Sequence, residues 1–238
     1  MKLLAFETAT EACSVALWID GNVRERFEVA PRRHAELSLP WAEALLAEAG
    51  IDRAALDVLA VSRGPGAFTG VRLGISLVQG IALALDRPVV AVSTLAVLAA
   101  GASTPGDAER LVLASIDARM GEVYAGAFEV RDGEPVPLGP ETVGAAEDVE
   151  LPRVEGDWQG IGTGFAAGDG ALATRLAGRL ARVDAGALPR AADLARLAAL
   201  AAARGRLLAP EQVEPAYLRN QVALTLAEQQ ALRDARPR

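Results

Sequence analysis

The chain has 238 residues, 51% of them hydrophobic, enough to bury one or two compact cores and to exclude disorder as a whole. A single cysteine, Cys13, excludes an intramolecular disulfide and a four-thiolate metal site, and a formal net charge of -7 argues against an autonomous nucleic-acid binder, which needs a cationic surface. Glu7 breaks the first apolar run and no uncharged apolar stretch of membrane-spanning length follows, so a soluble, cytoplasmic protein with no membrane contact is expected.

Apolar runs at residues 3–6 and 13–19 read as strands flanking a polar turn from Glu7 to Glu11. Asp20-Gly21 is a two-residue hairpin signal that returns residues 24–29 antiparallel to the second strand. A helix over 35–49 stops at Gly50, and a strand at 57–61 feeds the stretch SRGPGAFTGVRLGIS (62–76). There Gly64, Pro65 and Gly66 set a rigid turn and Thr69 opens a helix over 70–85. The first N–H groups of that helix suit an anion or a close partner contact, or they simply belong to a strand-to-helix turn. A strand at 88–92 and a helix from Thr94 complete the order βββαβαβα, a mixed sheet with helical crossovers.

A Pro- and Gly-rich break at 101–106 precedes strands at 111–117 and 123–130, joined by Ala118-Arg119-Met120-Gly121, which open a second lobe. Residues 132–157 show weak periodicity and are expected to be irregular, and 161–164 reads as a tight turn. Alanine-rich helices are expected over 172–180 and 191–207. The expected domains are 1–103, then a smaller 104–225 whose C-terminal helix can pack back on the first, then a polar tail, 226–238. Arg32, Arg33, Arg63 and Arg72 read as solvated arginines beside turns.

The acidic-Thr-x-Thr turn Glu7-Thr8-Ala9-Thr10, the Asp20-Gly21 hairpin and the βββαβαβα order together resemble the actin, Hsp70 and sugar-kinase superfamily. More narrowly, FETATEACSVALW (6–18), the helix begun by His34, the 62–76 stretch, SIDARMGEVYAGAF (115–128) and EPAYLRN (214–220) resemble the TsaB (YeaZ) family, in the family's order through nearly the whole chain before the tail. The resemblance implies a two-lobed, actin-like α/β fold with a reduced second lobe. It also implies a non-catalytic partner of TsaD in installing threonylcarbamoyl on adenosine 37 of ANN-decoding tRNAs.

The residues bear on whether such a chain does chemistry itself. Catalytic relatives carry two histidines four apart on a helix to hold a metal; here His34 is the sole histidine and Ser38 stands at the second position, so no metal site is expected. Pro40 either kinks the helix or starts it, and both disturb an i, i+4 ligand pair. Glu7 stands where the superfamily usually has aspartate, Ala9 where ATP-binding members have glycine, and Asp117-Ala118-Arg119 lacks the glycine and hydroxyl of a second phosphate loop. Glu7, Thr8 and Thr10 thus read as a vestigial phosphate loop, with no tightly bound cofactor, at most weak nucleotide binding within a complex, and no catalytic residue. A metallohydrolase and an ATP-dependent phosphotransferase are the alternatives.

Gly70, Gly74, Val78 and Ala82 form a small-residue stripe beside the apolar Leu73, Leu77, Ile81 and Ala84, a pattern that serves internal burial or close approach of a partner helix. The resemblance implies that both helices pair with TsaD, through His34, Leu37, Ser38, Trp41 and Leu45 on the first and Gly70, Arg72, Leu73, Gly74, Leu77, Val78 and Ile81 on the second. On that basis Gly74→Leu is expected to weaken partner binding in a chain that still folds. The isolated protein is expected to form a homodimer through the same surfaces, a TsaE ATPase to dock on the pair, and tRNA to be met only through the complex.

Overall fold

The computed structural model describes residues 1–102 and 109–218. β1 (Lys2–Glu7) and β2 (Ala12–Ile19) pair antiparallel from Lys2↔Ile19 to Glu7↔Ser14. β3 (Asn22–Val29) returns through Asp20 and Gly21, both at positive φ (46° and 98°), the backbone that matches a hairpin turn to strand twist. α1 (His34–Ala49) runs through Pro40 and stops at Gly50 in the left-handed conformation. β4 (Val58–Ser62) lies parallel to β1, α2 (Phe68–Leu85) crosses over, and β5 (Val89–Val92) lies parallel to β4, giving the sheet order β3-β2-β1-β4-β5.

The near-continuous apolar run of β1 is explained by burial of both sheet faces. Leu4, Phe6, Val15, Leu17, Leu59 and Val61 face α1 and α2, meeting Leu45, Ile75 and Val78. Leu3, Ala5, Ala16, Val58, Ala60 and Val90 face the opposite way, and the helix that covers them comes from the far end of the described chain.

α3 (Thr94–Ala100) starts at Ser93, whose hydroxyl accepts from the Leu95 and Ala96 N–H groups, and it sits between the two sheets. Its Val97 and Ala100 join the core of the first, while Leu95, Leu98 and Ala99 join that of the second. The second sheet contains β6 (Arg110–Arg119), β7 (Glu122–Arg131), β8 (Glu134–Pro137), β9 (Thr142–Ala145), β10 (Trp158–Ile161) and, after α4 (Ala167–Leu176), β11 (Leu180–Asp184). Its order is β11-β10-β6-β7-β8, with β9 also on β7. α5 (Ala191–Ala203) then lies against the free face of the first sheet through Leu194, Ala195, Leu197 and Ala198.

Three expectations are corrected. Residues 132–157 are not wholly irregular, since they hold β8 and β9. In place of a helix over 172–180, helix α4 ends at Leu176 and Leu180–Asp184 is a strand; Gly168, Asp169 and Gly170 at its start all have positive φ. The helix expected to reach 207 ends at Ala203, just before Gly205 at φ 71°. The 103/104 boundary, the tail 226–238 and the last two residues of EPAYLRN lie outside the described residues.

Candidate partner interface and interlobe cleft

The 62–76 stretch brings α2 down onto the turn after β1. The Ala67 N–H donates to the Ala9 carbonyl at 2.7 Å and Thr8 Oγ1 donates to the Gly70 carbonyl at 2.8 Å. A Cβ on Gly66 would stand 2.3 Å from the Ala9 oxygen, one on Gly70 2.1 Å from the Thr8 oxygen, and one on Gly74 2.6 Å from Thr8 Oγ1 and 3.2 Å from Val61. These glycines exist so that the helix can touch its own turn. The small-residue stripe therefore faces inward: Gly70, Gly74 and Val78 are buried within the chain and are not open to a partner. The expectation that Gly74→Leu leaves the fold intact is corrected for the same reason.

Four of the five α1 assignments, all but Trp41, also fall on side chains buried within the chain. His34 is buried, its Nε2 lying 2.9 Å from the Thr10 carbonyl and 3.1 Å from the Ala12 carbonyl; carbonyls only accept, so Nε2 carries the proton. Ser38 is buried and donates to the His34 carbonyl at 2.7 Å, and Leu37 packs on Cys13 and Ala30. Leu45 is buried under the sheet. His34 thus fastens α1 to the β1–β2 turn, while Ser38 bonds back within its own helix and lies 3.6 Å from Cys13 Sγ, so the two side chains are not engaged as a ligand pair. Among the described residues no group of three or more His, Cys, Asp or Glu side chains could hold a metal ion.

What reaches solvent is the complementary stripe. Arg72 and Leu73 are half-buried, as are Trp41, Leu77 and Ile81, which also pack in part on the first core, and Phe68, Leu83 and Leu39 on the same two helices are 67%, 63% and 44% exposed. Sequence reasoning missed the last three. Phe68 was placed ahead of the helix, which in fact begins at it, and no spacing rule separates an outward leucine from an inward one on a helix that is apolar nearly all round. By length and composition α2 is also apolar enough to cross a membrane, but its inner face is committed to the sheet.

The side chains of Glu7, Thr8 and Thr10 are buried. Glu7 is fully buried; Oε1 accepts from the Ala9 N–H at 2.8 Å, while among the described residues Oε2 makes no well-formed hydrogen bond, the hydroxyl of Ser62 on the adjoining strand end lying close enough to act on it electrostatically. Burial pushes the Glu7 carboxyl up to about 7, against a smaller downward pull from the nearby Ser62 hydroxyl and the Ala9 N–H. Thr8 binds Gly70, and Thr10 Oγ1 accepts from Ala12 N–H at 3.4 Å. A cavity of about 910 Å³ lies between the lobes, walled by Ala9 and Thr10, the first turn of α2, the Asp117–Arg119 region and Tyr217. Asp117 is held by Arg119, through its N–H at 2.8 Å and its guanidinium at 3.2 Å.

Residues 27–225 match the family model described as TsaD, tRNA N6-adenosine threonylcarbamoyltransferase. The Escherichia coli (strain K12) protein described as "tRNA threonylcarbamoyladenosine biosynthesis protein TsaB" is 42% identical over 94% of this chain and 96% of its own length. The chain belongs to the TsaB family. The Haemophilus influenzae TsaB is 36% identical over 93% of this chain and 95% of its own. The solved structure of YeaZ from Pseudomonas aeruginosa superimposes with a TM-score of 0.82 at 46% identity, covering 91% of this chain and 99% of that one. The two-sheet architecture is accordingly the two-lobed, actin-like fold of that family.

Proposed function

We propose that this chain is the non-catalytic subunit of a tRNA N6-threonylcarbamoyladenosine transferase, and that it binds and activates a TsaD-type catalytic subunit. The observation that carries the reading is the end-to-end similarity to the Escherichia coli protein named for threonylcarbamoyladenosine biosynthesis. The geometry supports the scaffold role: His34 spends its N–H on backbone carbonyls, Glu7 points inward, and the outward apolar face of α1 and α2 is the kind of surface that marks a protein contact. In this reading the same face makes a homodimer when the catalytic subunit is absent, a TsaE-type ATPase joins the pair, tRNA is held through the partner, nucleotide binds weakly and only in the complex, and the work is done in the cytoplasm.

The test is depletion of the chain in its host with nucleoside mass spectrometry of tRNA. Threonylcarbamoyladenosine falls on depletion, and a copy carrying Leu73→Asp and Leu77→Asp fails to restore it although the protein accumulates folded. Unchanged modification after depletion overturns the reading.

A further inference from the structure

We propose that Arg72, clamped between Phe68 and Tyr217, is a pre-set receptor for a carboxylate on the partner protein, and that the segment 213–218 is therefore part of the docking surface. The inference rests on the reading of α1 and α2 as the face that meets a TsaD-type subunit, and names the chemistry of one contact within it. The guanidinium carbon lies 3.3 Å from the centroid of the Phe68 ring and 5.1 Å from that of Tyr217. Nη1 donates to the Phe68 carbonyl at 3.3 Å and Nη2 to the Tyr217 hydroxyl at 2.5 Å. A guanidinium has five N–H donors, so three remain. With aromatic rings against the group, its open approach is edge-on, the direction from which a carboxylate accepts two parallel hydrogen bonds.

Charge makes the same point. Arg33 and Arg119 on nearby turns have carboxylates of their own, Glu28 and Glu36 for the first and Asp117 for the second. Among the described residues no carboxylate bridges Arg72. In a chain of net charge -7, an arginine held rigid and left unpaired at the rim of an apolar face is a local complement for an acidic side chain. Phe68 and Tyr217 stay 67% and 59% exposed, and arginine with tyrosine is a composition that dominates binding energy at protein contacts.

The clamp is built from a distance, which argues against a chance meeting of surface side chains. Val213 is buried under α2, Gln79 Nε2 donates to the carbonyls of Pro210 at 2.9 Å and Val213 at 3.3 Å, and the Ala216 N–H donates to the Arg63 carbonyl at 2.8 Å. These contacts fasten the segment along α2 and deliver Tyr217 to Arg72, 145 residues apart in sequence. Tyr217 is a positioning residue: it holds the guanidinium in one rotamer, and the ordering is done before the partner arrives.

The test measures the affinity of the full chain for its TsaD-type partner by calorimetry at several salt concentrations. Arg72→Gln is expected to weaken binding about tenfold or more and to flatten the salt dependence. Arg72→Lys, which keeps the charge and loses the planar fork, is expected to weaken binding to a similar extent while retaining the salt dependence. Tyr217→Phe, which keeps the ring and loses the hydroxyl, is expected to weaken binding by roughly threefold. Both side chains reach solvent, and unchanged thermal unfolding confirms that each variant folds. Leu77→Asp is the reference for the face as a whole. If Leu77→Asp abolishes binding while Arg72→Gln or Arg72→Lys binds like the parent, the receptor is overturned and the docking face stands. If Leu77→Asp binds like the parent, the docking face itself is overturned.

Discussion

Glu7 ends β1 with one carboxylate oxygen unpartnered in a fully buried site, and its pKa of about 7 against an ordinary 4.5 makes it a stability sensor. In the unfolded chain the group ionises near 4.5; in the folded chain it keeps its proton to about 7. Between those values the folded state binds the extra proton, so the contribution of Glu7 to stability is greatest below pH 4.5, falls as pH rises towards 7 and is level above it; Asp20, Glu36 and Glu134, held below their ordinary values by positive partners, act in the opposite sense at lower pH. For Glu7 the difference amounts to about 3 kcal/mol. Burial raises Glu141 and Asp193 in the same direction, so the contribution of Glu7 is isolated by comparison: Glu7→Gln removes that part of the decline and is more stable than the parent at pH 8 by urea denaturation. A parent stability that climbs from pH 5 to 7, or an identical pH profile in Glu7→Gln, contradicts this picture.

Gly74 answers at the same scale. With Thr8 Oγ1 and Val61 in the space a Cβ would need, Gly74→Leu has to push α2 off the sheet, at a cost of about 3 kcal/mol in the isolated chain. The urea midpoint of the purified variant shows it; an unchanged midpoint returns Gly74 to the list of outward residues. How legible this was depends on what lies opposite each residue. The four-residue spacing of Gly70, Gly74 and Val78 is plain in the sequence, but its neighbour, Thr8, lies 62 residues before Gly70, and spacing carries no address.

Among the elements, those with their own punctuation were read well: the β2–β3 hairpin through Asp20-Gly21, α1 ending at Gly50, and the β4-loop-α2 unit each carry a turn or cap residue whose backbone demand is local. β10 and β11 were missed because nothing local marks them. β10 is four residues with a glycine among them, and β11 is a mostly exposed edge strand without an apolar face; β10 is a strand because distant β6 offers it a parallel partner, and β11 because β10 then offers one in turn. The seat of α5 has the same long-range character. Ser14 Oγ accepts from the Ala191 N–H at 3.0 Å and donates to Glu25 at 2.8 Å, while Glu25 accepts from the Ala192 N–H at 3.0 Å and from the Arg190 guanidinium at 2.6 Å. Strands β2 and β3 thus cap a helix more than 160 residues away. Glu25→Ala leaves three of these donors, the Ser14 hydroxyl, the Ala192 N–H and the Arg190 guanidinium, without that acceptor and is expected to cost about 2 kcal/mol, with amide exchange accelerated first at the start of α5. Uniform exchange throughout α5 and an unchanged stability contradict that role.

At the scale of the whole molecule, α3 is shared by both cores, α5 closes the first sheet from behind, and the segment 206–218 wraps from the β5 edge, where Leu208 pairs with Val89, along α2 to the cleft rim. The turn after β1 and the first residue of α1 commit their polar groups to the chain itself: Glu7 meets its own turn, Thr8 meets Gly70, and His34 meets two carbonyls. What is left facing solvent is an apolar two-helix face with a rigid arginine at its rim. On the function proposed above, such a molecule acts by shaping a partner.

Threonylcarbamoyl transfer to tRNA, reconstituted from purified components, tests that conclusion most directly when this chain is included, omitted, or supplied without the TsaD-type subunit. The expected result is modification only when both proteins are present. Full modification without this chain, or any modification by this chain alone, contradicts it.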